Sequence, residues 1–179
     1  RALGRDAPGR AQGRRLIRHT AGMSRQPVAV GEIAPDFTLR DHNGRDVSLR
    51  EPAGRRSVLL VFYPFAFSGI CTGELGEIRD DLGRFESPDV TTMAISCDPM
   101  FSLRAWADRE GYFFPLLSDF WPHGETAQAY GVFNDKAGMA VRGTFLIDAA
   151  GVISFAEVNG PGDAREQSGW KDAVGRLAA

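Results

Sequence analysis

One stretch of the chain, residues 58–74, constrains both the fold and the chemistry more than any other. Val58 to Tyr63 form a continuous run of aliphatic and aromatic residues, which predicts a buried strand that ends at Pro64. A short turn then leads to Cys71, in the first turn of a polar helix. The unpaired N–H groups and the positive dipole end of such a helix favour a thiolate. The sequence therefore predicts an activated thiol where a buried strand meets a helix.

The pattern on either side predicts a single α/β domain in which strands and helices alternate. Within residues 34–49, two alternating segments meet at Asn43-Gly44, which predicts a tight β-hairpin near the N-terminus. A length of 179 residues is sufficient for one full hydrophobic core. Further strands are predicted at 91–96, 113–117, 142–147 and 152–158, and helices at 72–86, 98–110, 125–130 and 163–177.

The first 25 residues differ from the rest of the chain. They hold seven arginines against the single acid Asp6, lack an apolar core segment and show no helical stripe, so they are not a secretory signal. We expect residues 1–26 to be a disordered or mis-assigned extension, with Met23 as the initiator, and residues 27–179 to form the domain. A basic tail with its own role, or an organelle transit peptide, is the alternative.

Charge and hydropathy exclude several classes of partner. Subtracting residues 1–25 from the chain's 21 Lys+Arg and 23 Asp+Glu leaves 14 and 22, a formal charge of −8. An acidic globular part argues against nucleic-acid binding, and no apolar run approaches the roughly 18 residues of a membrane-spanning helix. Two cysteines do not make a disulfide scaffold. We therefore expect a cytoplasmic protein that binds neither nucleic acid nor membrane.

The residues next to the thiol narrow its chemistry. Cys71-Thr-Gly-Glu74 occupies the place where a thiol–disulfide exchange protein has Cys-x-x-Cys, and Glu74 replaces the second cysteine. Disulfide exchange within this segment is therefore excluded, which leaves a single activated thiol.

The motif around this thiol is similar to one found in a known family. Pro64-x-x-x-Ser68-x-x-Cys71 resembles the active-site motif of peroxiredoxins, which are thiol peroxidases with a thioredoxin fold. The resemblance extends over residues 27–179 and includes the segments 34–39 and 142–148. Residues 116–123 and 130–134 resemble the one-cysteine alkyl hydroperoxide reductase E group of actinobacteria.

The resemblance implies a thioredoxin-like three-layer α/β sandwich with an N-terminal β-hairpin extension. It implies that hydrogen peroxide, organic hydroperoxides or peroxynitrite oxidise Cys71 to a sulfenic acid. Arg142 would stabilise the thiolate and contact the peroxide, and Ser68 would hydrogen-bond the incoming hydroperoxide. Pro64 would close the pocket, and Glu74 would orient Arg142.

Each of these residues also has a structural explanation. Ser68 is a suitable helix N-cap, Pro64 a strand terminator and Glu74 an acid in the first turn of a helix. Arg142 has the alternative of a surface strand residue, and a lone Cys71 that of an inert core residue. Their combination in one motif favours the catalytic interpretation of all five.

The second cysteine, Cys97, ends the predicted strand 91–96. Adjacent strand ends could bring it close to Cys71, yet the places where peroxiredoxins carry a resolving cysteine hold none here. We therefore interpret Cys97 as a strand-end residue and the protein as a one-cysteine enzyme. The resemblance implies reduction by an external thiol, either mycothiol with a mycoredoxin or thioredoxin, and a homodimer. A peroxide sensor that relays oxidation to a partner protein is the main alternative, and a non-catalytic chaperone is a third.

Other residue groups predict no further site. The three histidines are isolated and lack metal-ligand spacing, so we expect no metal or other cofactor. Four aromatic residues are interpreted as core first and subunit interface second: Phe113, Phe114, Phe120 and Trp121.

Overall fold

An eight-stranded mixed sheet forms the centre of the computed structural model, which describes residues 15–17, 22–52 and 54–177. Its strands are β1 (Arg15–Ile17), β2 (Thr38–Asp41), β3 (Asp46–Ser48), β4 (Ser57–Phe62), β5 (Val90–Ser96), β6 (Leu116–Ser118), β9 (Arg142–Ile147) and β10 (Ile153–Asn159). Strands β7 (Phe133–Asn134) and β8 (Met139–Ala140) form a separate hairpin. The helices are α1 (Gly69–Asp80), α2 (Leu82–Phe85), α3 (Met100–Glu110), α4 (Glu125–Ala129) and α5 (Ser168–Gly175).

The order of strands across the large sheet is β1-β10-β9-β4-β5-β6-β2-β3. Strands β4, β5 and β6 run parallel, so their carboxyl ends meet at one edge. Strand β9 runs antiparallel to β4, which brings its first residue, Arg142, to that same edge. Functional groups collect at the carboxyl ends of strands in open α/β sheets, and this edge carries the segment that leads to Cys71.

The sheet separates two hydrophobic layers. In β4, Leu59 and Val61 face the layer that contains α1, α3 and α5, while Val58, Leu60 and Phe62 face the opposite layer. All six residues of β4 are buried, as expected for a central strand covered on both faces. The predicted thioredoxin-like three-layer α/β sandwich is confirmed.

Several predicted boundaries differ from the observed ones. The N-terminal hairpin is present as β2–β3, but β2 also pairs with β6, so it extends the main sheet. The predicted helix 72–86 begins earlier, at Gly69, and is divided at Asp81, whose ψ of 32° departs from helical geometry. The strand predicted at 113–117 begins only at Leu116, and the last helix begins at Ser168 instead of residue 163.

Most of the expected extension, residues 1–26, lies outside the described residues. Of its first 21 residues the structure describes Arg15–Ile17, which pair in parallel with β10 at the end of the sheet. Composition did not predict this strand, and the division into an extension and a domain stays a prediction. Among the described residues, no helix is long and apolar enough to span a bilayer.

The hairpin is attached to the sheet through a buried histidine. Leu116 N–H donates to Nδ1 of His42 over 3.2 Å, so this nitrogen must be unprotonated. Arg104 Nε donates to the carbonyl of His42 over 2.8 Å. Burial lowers the pKa of His42 from its usual 6.5, and the nearby carboxylates of Asp41 and Asp108 only partly oppose this.

Because the pKa of His42 is lowered in the folded state, acid should weaken the fold through this residue. Its neutral form contributes stability above about pH 6.5, and this contribution is lost as the pH falls through the folded-state pKa. We expect the wild type to lose unfolding free energy relative to His42→Gln between pH 7 and pH 5, measured by urea denaturation. Other titrating groups are common to both proteins and cancel, so parallel pH profiles would contradict the prediction.

Candidate active site

Cys71 lies in the first turn of α1, directly beyond the carboxyl end of β4. Ser68 is the N-cap of this helix, and its Oγ accepts a hydrogen bond from Cys71 N–H over 3.4 Å. Cys71 is completely buried. The sulfur therefore sits at the positive end of a helix and away from bulk water, an environment that favours a thiolate if a cation is also present.

Arg142 supplies that cation. Its Nη1 donates to Cys71 Sγ over 3.4 Å, and its Nε donates to Pro161 O over 2.9 Å. The side chain is only 2% exposed. The residue after it must be small, because a Cβ on Gly143 would stand 2.8 Å from Val132 Cγ1. This close packing fixes the strand that presents Arg142 to the thiol.

Glu74 lies one helical turn after Cys71 and is also buried. Its Oε2 accepts a hydrogen bond from Arg142 Nη1 over 2.7 Å, so the same guanidinium nitrogen contacts the thiol sulfur and the carboxylate. The structure thus brings Glu74, Arg142 and Cys71 together from two distant parts of the sequence.

A second arginine, Arg165, completes the cluster and was missed by the sequence analysis. It donates to both oxygens of Glu74, through Nη2 over 2.7 Å and through Nε over 3.2 Å. Its Nη1 reaches three acceptors: Phe62 O, Gly143 O and Thr144 Oγ1. Arg165 therefore ties α1 to β4 and β9 through a single side chain.

The sequence carried one signal for Arg165. Gly160-Pro161-Gly162 argues against a helix that begins at residue 163, and the observed helix begins only at Ser168. Residues 163–167 are not helical, and Arg165 and Gln167 contact α1 from this segment. Gln167 Nε2 donates to Glu74 O over 2.8 Å. Because the sequence analysis assigned this segment to a helix, it did not identify Arg165 as part of the site.

Two arginines keep the buried Glu74 carboxyl ionised. Burial alone would raise the pKa of Glu74, but the charge and hydrogen bonds of Arg165, followed by the charge of Arg142, lower it below its usual 4.5. The ionised Glu74 carboxylate therefore pairs with two buried guanidiniums at once.

Pro64 and Cys97 occupy different surroundings. Pro64 is buried directly after the end of β4, on the edge that carries Ser68. Cys97 belongs to the hydrophobic layer on the other face of the sheet from Cys71, and both thiols are free. Burial, followed by the charge of Asp119, raises the pKa of Cys97 to about 12.

The remaining candidates are distributed over the surface and the core. Of the four aromatic residues, only Phe114 is buried, so the core assignment was wrong for the other three, Phe113, Phe120 and Trp121. Both nitrogens of His123 lie near carbonyl oxygens, those of Phe120 and Gly138. In the part of the chain that the structure describes, no three His, Cys, Asp or Glu side chains are grouped as a metal site would require.

Replacing the shared carboxylate should destabilise the protein. In Glu74→Gln two buried guanidiniums lose their counter-charge, which should cost about 3–5 kcal/mol of unfolding free energy. The exposed Glu77 on the same helix is a matched control, and Glu77→Gln should change stability by less than about 0.5 kcal/mol. Urea denaturation at pH 7 measures both, and equal effects would argue against the cluster as a major source of stability.

The chain matches a known protein family over most of its length. The AhpC/TSA family model matches residues 30–156. Alkyl hydroperoxide reductase E of Mycobacterium tuberculosis is 55% identical over 150 residues, which cover 84% of this chain and 98% of that protein. A putative peroxiredoxin of M. tuberculosis is 39% identical over 138 residues, covering 74% of this chain and 86% of that protein.

Solved structures give the same result. The crystal structure of peroxidoxin BcpB from M. tuberculosis has a TM-score of 0.72 at 28% identity, covering 83% of this chain and 96% of that one. The reduced 2-Cys peroxiredoxin of Plasmodium vivax has a TM-score of 0.74 at 25% identity, covering 85% and 83% of the respective chains. This chain therefore belongs to the AhpC/TSA family and is a peroxiredoxin.

Proposed function

We propose that this peroxiredoxin reduces hydrogen peroxide and organic hydroperoxides, with peroxynitrite as a further substrate, through a Cys71 sulfenic acid. The contact that carries the proposal is the 3.4 Å hydrogen bond from Arg142 Nη1 to Cys71 Sγ, made by a guanidinium that Glu74 also binds. Membership of the family supports thiol peroxidase activity. Nothing in the comparisons supports the alternative of a peroxide sensor.

In the proposed reaction, the Cys71 thiolate attacks the terminal oxygen of the hydroperoxide. The S–O bond forms as the O–O bond breaks, so sulfur loses two electrons and the product leaves as an alkoxide that takes up a proton. Ser68 Oγ accepts from Cys71 N–H, which leaves its own hydroxyl proton free to donate to the peroxide. Arg142 and the N–H group of Ile70 would stabilise the developing negative charge.

Pro64 and Glu74 act indirectly in this scheme. Pro64 would close the pocket at the end of β4 and keep water away from the sulfenic acid. Glu74 would orient Arg142 through the 2.7 Å hydrogen bond to its Nη1. Arg165 would hold Glu74 in turn, because it donates to both carboxylate oxygens.

An external thiol would then reduce the sulfenic acid. Its sulfur attacks Cys71, water leaves and a mixed disulfide forms, which a second thiol cleaves to restore Cys71. The position of Cys97 in the opposite hydrophobic layer supports this one-cysteine scheme over an internal disulfide. Mycothiol with a mycoredoxin, or thioredoxin, are the reductants we propose, on the basis of the resemblance to the one-cysteine alkyl hydroperoxide reductase E group.

We also propose that the chain forms a homodimer through the edge of the sheet that carries Cys71. Large apolar side chains that follow the carboxyl ends of β4, β5 and β6 are exposed: Phe65, Phe67, Ile70, Phe101, Phe120 and Trp121. Aromatic residues concentrated on one edge are typical of a subunit interface.

Removing the Cys71 thiol should abolish peroxide reduction. We expect Cys71→Ser to consume hydrogen peroxide no faster than a buffer blank containing the same reductant, because the nucleophile is lost. Cys97→Ser is the control and should retain the wild-type rate within about twofold. Coupled NADPH oxidation with thioredoxin or mycoredoxin measures both variants. Turnover by Cys71→Ser would refute the proposed function, and an inactive but folded Cys97→Ser would refute the one-cysteine scheme.

A charge placed in the proposed interface should dissociate the dimer. Trp121 is 82% exposed beyond the carboxyl end of β6, so we expect Trp121→Glu to shift the mass from dimer to monomer. Phe113 is 81% exposed but precedes β6, at the opposite edge, so Phe113→Glu should remain dimeric. Light scattering after size-exclusion chromatography measures both, and a monomeric wild type would exclude the homodimer.

A further inference from the structure

The segment between β4 and α1, residues 63–68, covers the thiol and carries two of the proposed site residues. The side chain of Asp98, which follows β5 and lies outside the site described above, holds this segment in place. Ala66 N–H, in the middle of this segment, donates to Asp98 Oδ2 over 2.8 Å. Because Ser68 and Cys71 follow directly, the position of Ala66 helps to set where the helix begins.

Asp98 is itself firmly placed. Ser96 Oγ donates to the same Oδ2 over 2.7 Å, and Ser118 Oγ donates to the Asp98 carbonyl over 2.7 Å. These bonds come from the end of β5, the neighbour of β4, and from the end of β6, the strand beyond β5. The Asp98 carboxylate therefore holds the segment before α1 in a fixed position relative to the ends of these strands.

That connection contains a residue in a strained conformation. Phe67 has a φ of 64°, in the left-handed region that non-glycine residues avoid unless neighbouring contacts hold them there. Its ring lies 6.1 Å from that of Trp106 and 5.6 Å below the Arg109 guanidinium. The hydrogen bond from Ala66 to Asp98 opposes relaxation of Phe67, which would displace Ser68.

We propose that Asp98 is a positioning residue for the reaction of Cys71, because its carboxylate fixes the segment that aligns Ser68 and covers the sulfur. This inference rests on the proposed peroxidase function. With the bond to Ala66 made, Ser68 is aligned and Cys71 is completely buried. With the bond broken, the segment relaxes, alignment toward peroxide is lost and the sulfur becomes accessible to larger molecules.

Three variants on a Cys97→Ser background separate this role from a general loss of stability. Asp98→Ala removes the acceptor of both side-chain hydrogen bonds. Asp98→Asn retains an amide oxygen that can accept from Ala66 N–H and is the conservative rescue. Ser118→Ala is the matched control, because it removes a hydrogen bond to the Asp98 carbonyl but leaves the carboxylate in place.

Two rates are measured for each variant. Stopped-flow tryptophan fluorescence gives the rate constant of oxidation by hydrogen peroxide, since Trp106 packs on Tyr63 at 5.4 Å and on Phe67. Alkylation by a bulky maleimide gives the accessibility of Cys71 without any peroxide. A merely structural residue would not move these two rates in opposite directions.

We expect Asp98→Ala to be oxidised at least about tenfold more slowly and alkylated several-fold faster than its parent. Asp98→Asn should stay within about threefold of the parent in both rates, and Ser118→Ala should match it. If the two rates of Asp98→Ala move in the same direction or stay unchanged, the inference is wrong. Failure of the parent to react with peroxide would instead overturn the proposed function, while the alkylation rates would still test the Asp98 contact.

Discussion

Two buried guanidiniums share one buried carboxylate beside Cys71, and the rest of the site depends on these contacts. Glu74 accepts hydrogen bonds from both Arg142 and Arg165, which come from β9 and from the segment before α5. Removing Glu74 would leave both buried guanidiniums without this counter-charge. The same contacts that hold α1 against the sheet also place the Arg142 guanidinium beside the Cys71 sulfur. Stability and reactivity are coupled here because they use the same atoms.

The topology of the sheet explains why these groups meet. Strands β4, β5 and β6 are parallel, so the segments that follow them begin at the same edge of the sheet. Strand β9 is antiparallel to β4, so its first residue, Arg142, lies at this edge too. This arrangement explains why Cys71, Asp98 and the exposed aromatic side chains lie at the same edge of the sheet. Cys97 also ends a strand at this edge, but it faces the opposite layer. Its burial raises the pKa to about 12, which gives a thiol far less reactive than a thiolate.

Much of the fold was predictable because its patterns are local. The continuous apolar run before Pro64 identified the central strand, and Asn43-Gly44 identified the hairpin turn. The boundary errors have local causes too. The Ser68 cap moved the start of α1 to Gly69, and the segment around Arg165 is held by bonds to Glu74 instead of helical ones. Propensity cannot anticipate such contacts, since the partner is 91 residues away.

By itself, the sequence determined that a thiol stands at a helix start after a buried strand and, through the resemblance of Pro64, Ser68, Cys71 and Arg142 to a known motif, which family the chain belongs to. Tertiary structure decided what surrounds that thiol. Arg165 completes the charge cluster, Asp98 holds the covering segment, and Cys97 lies across the sheet. The physical reason is that strand and helix signals extend over a few residues, whereas charge balance and access depend on groups that only folding brings together.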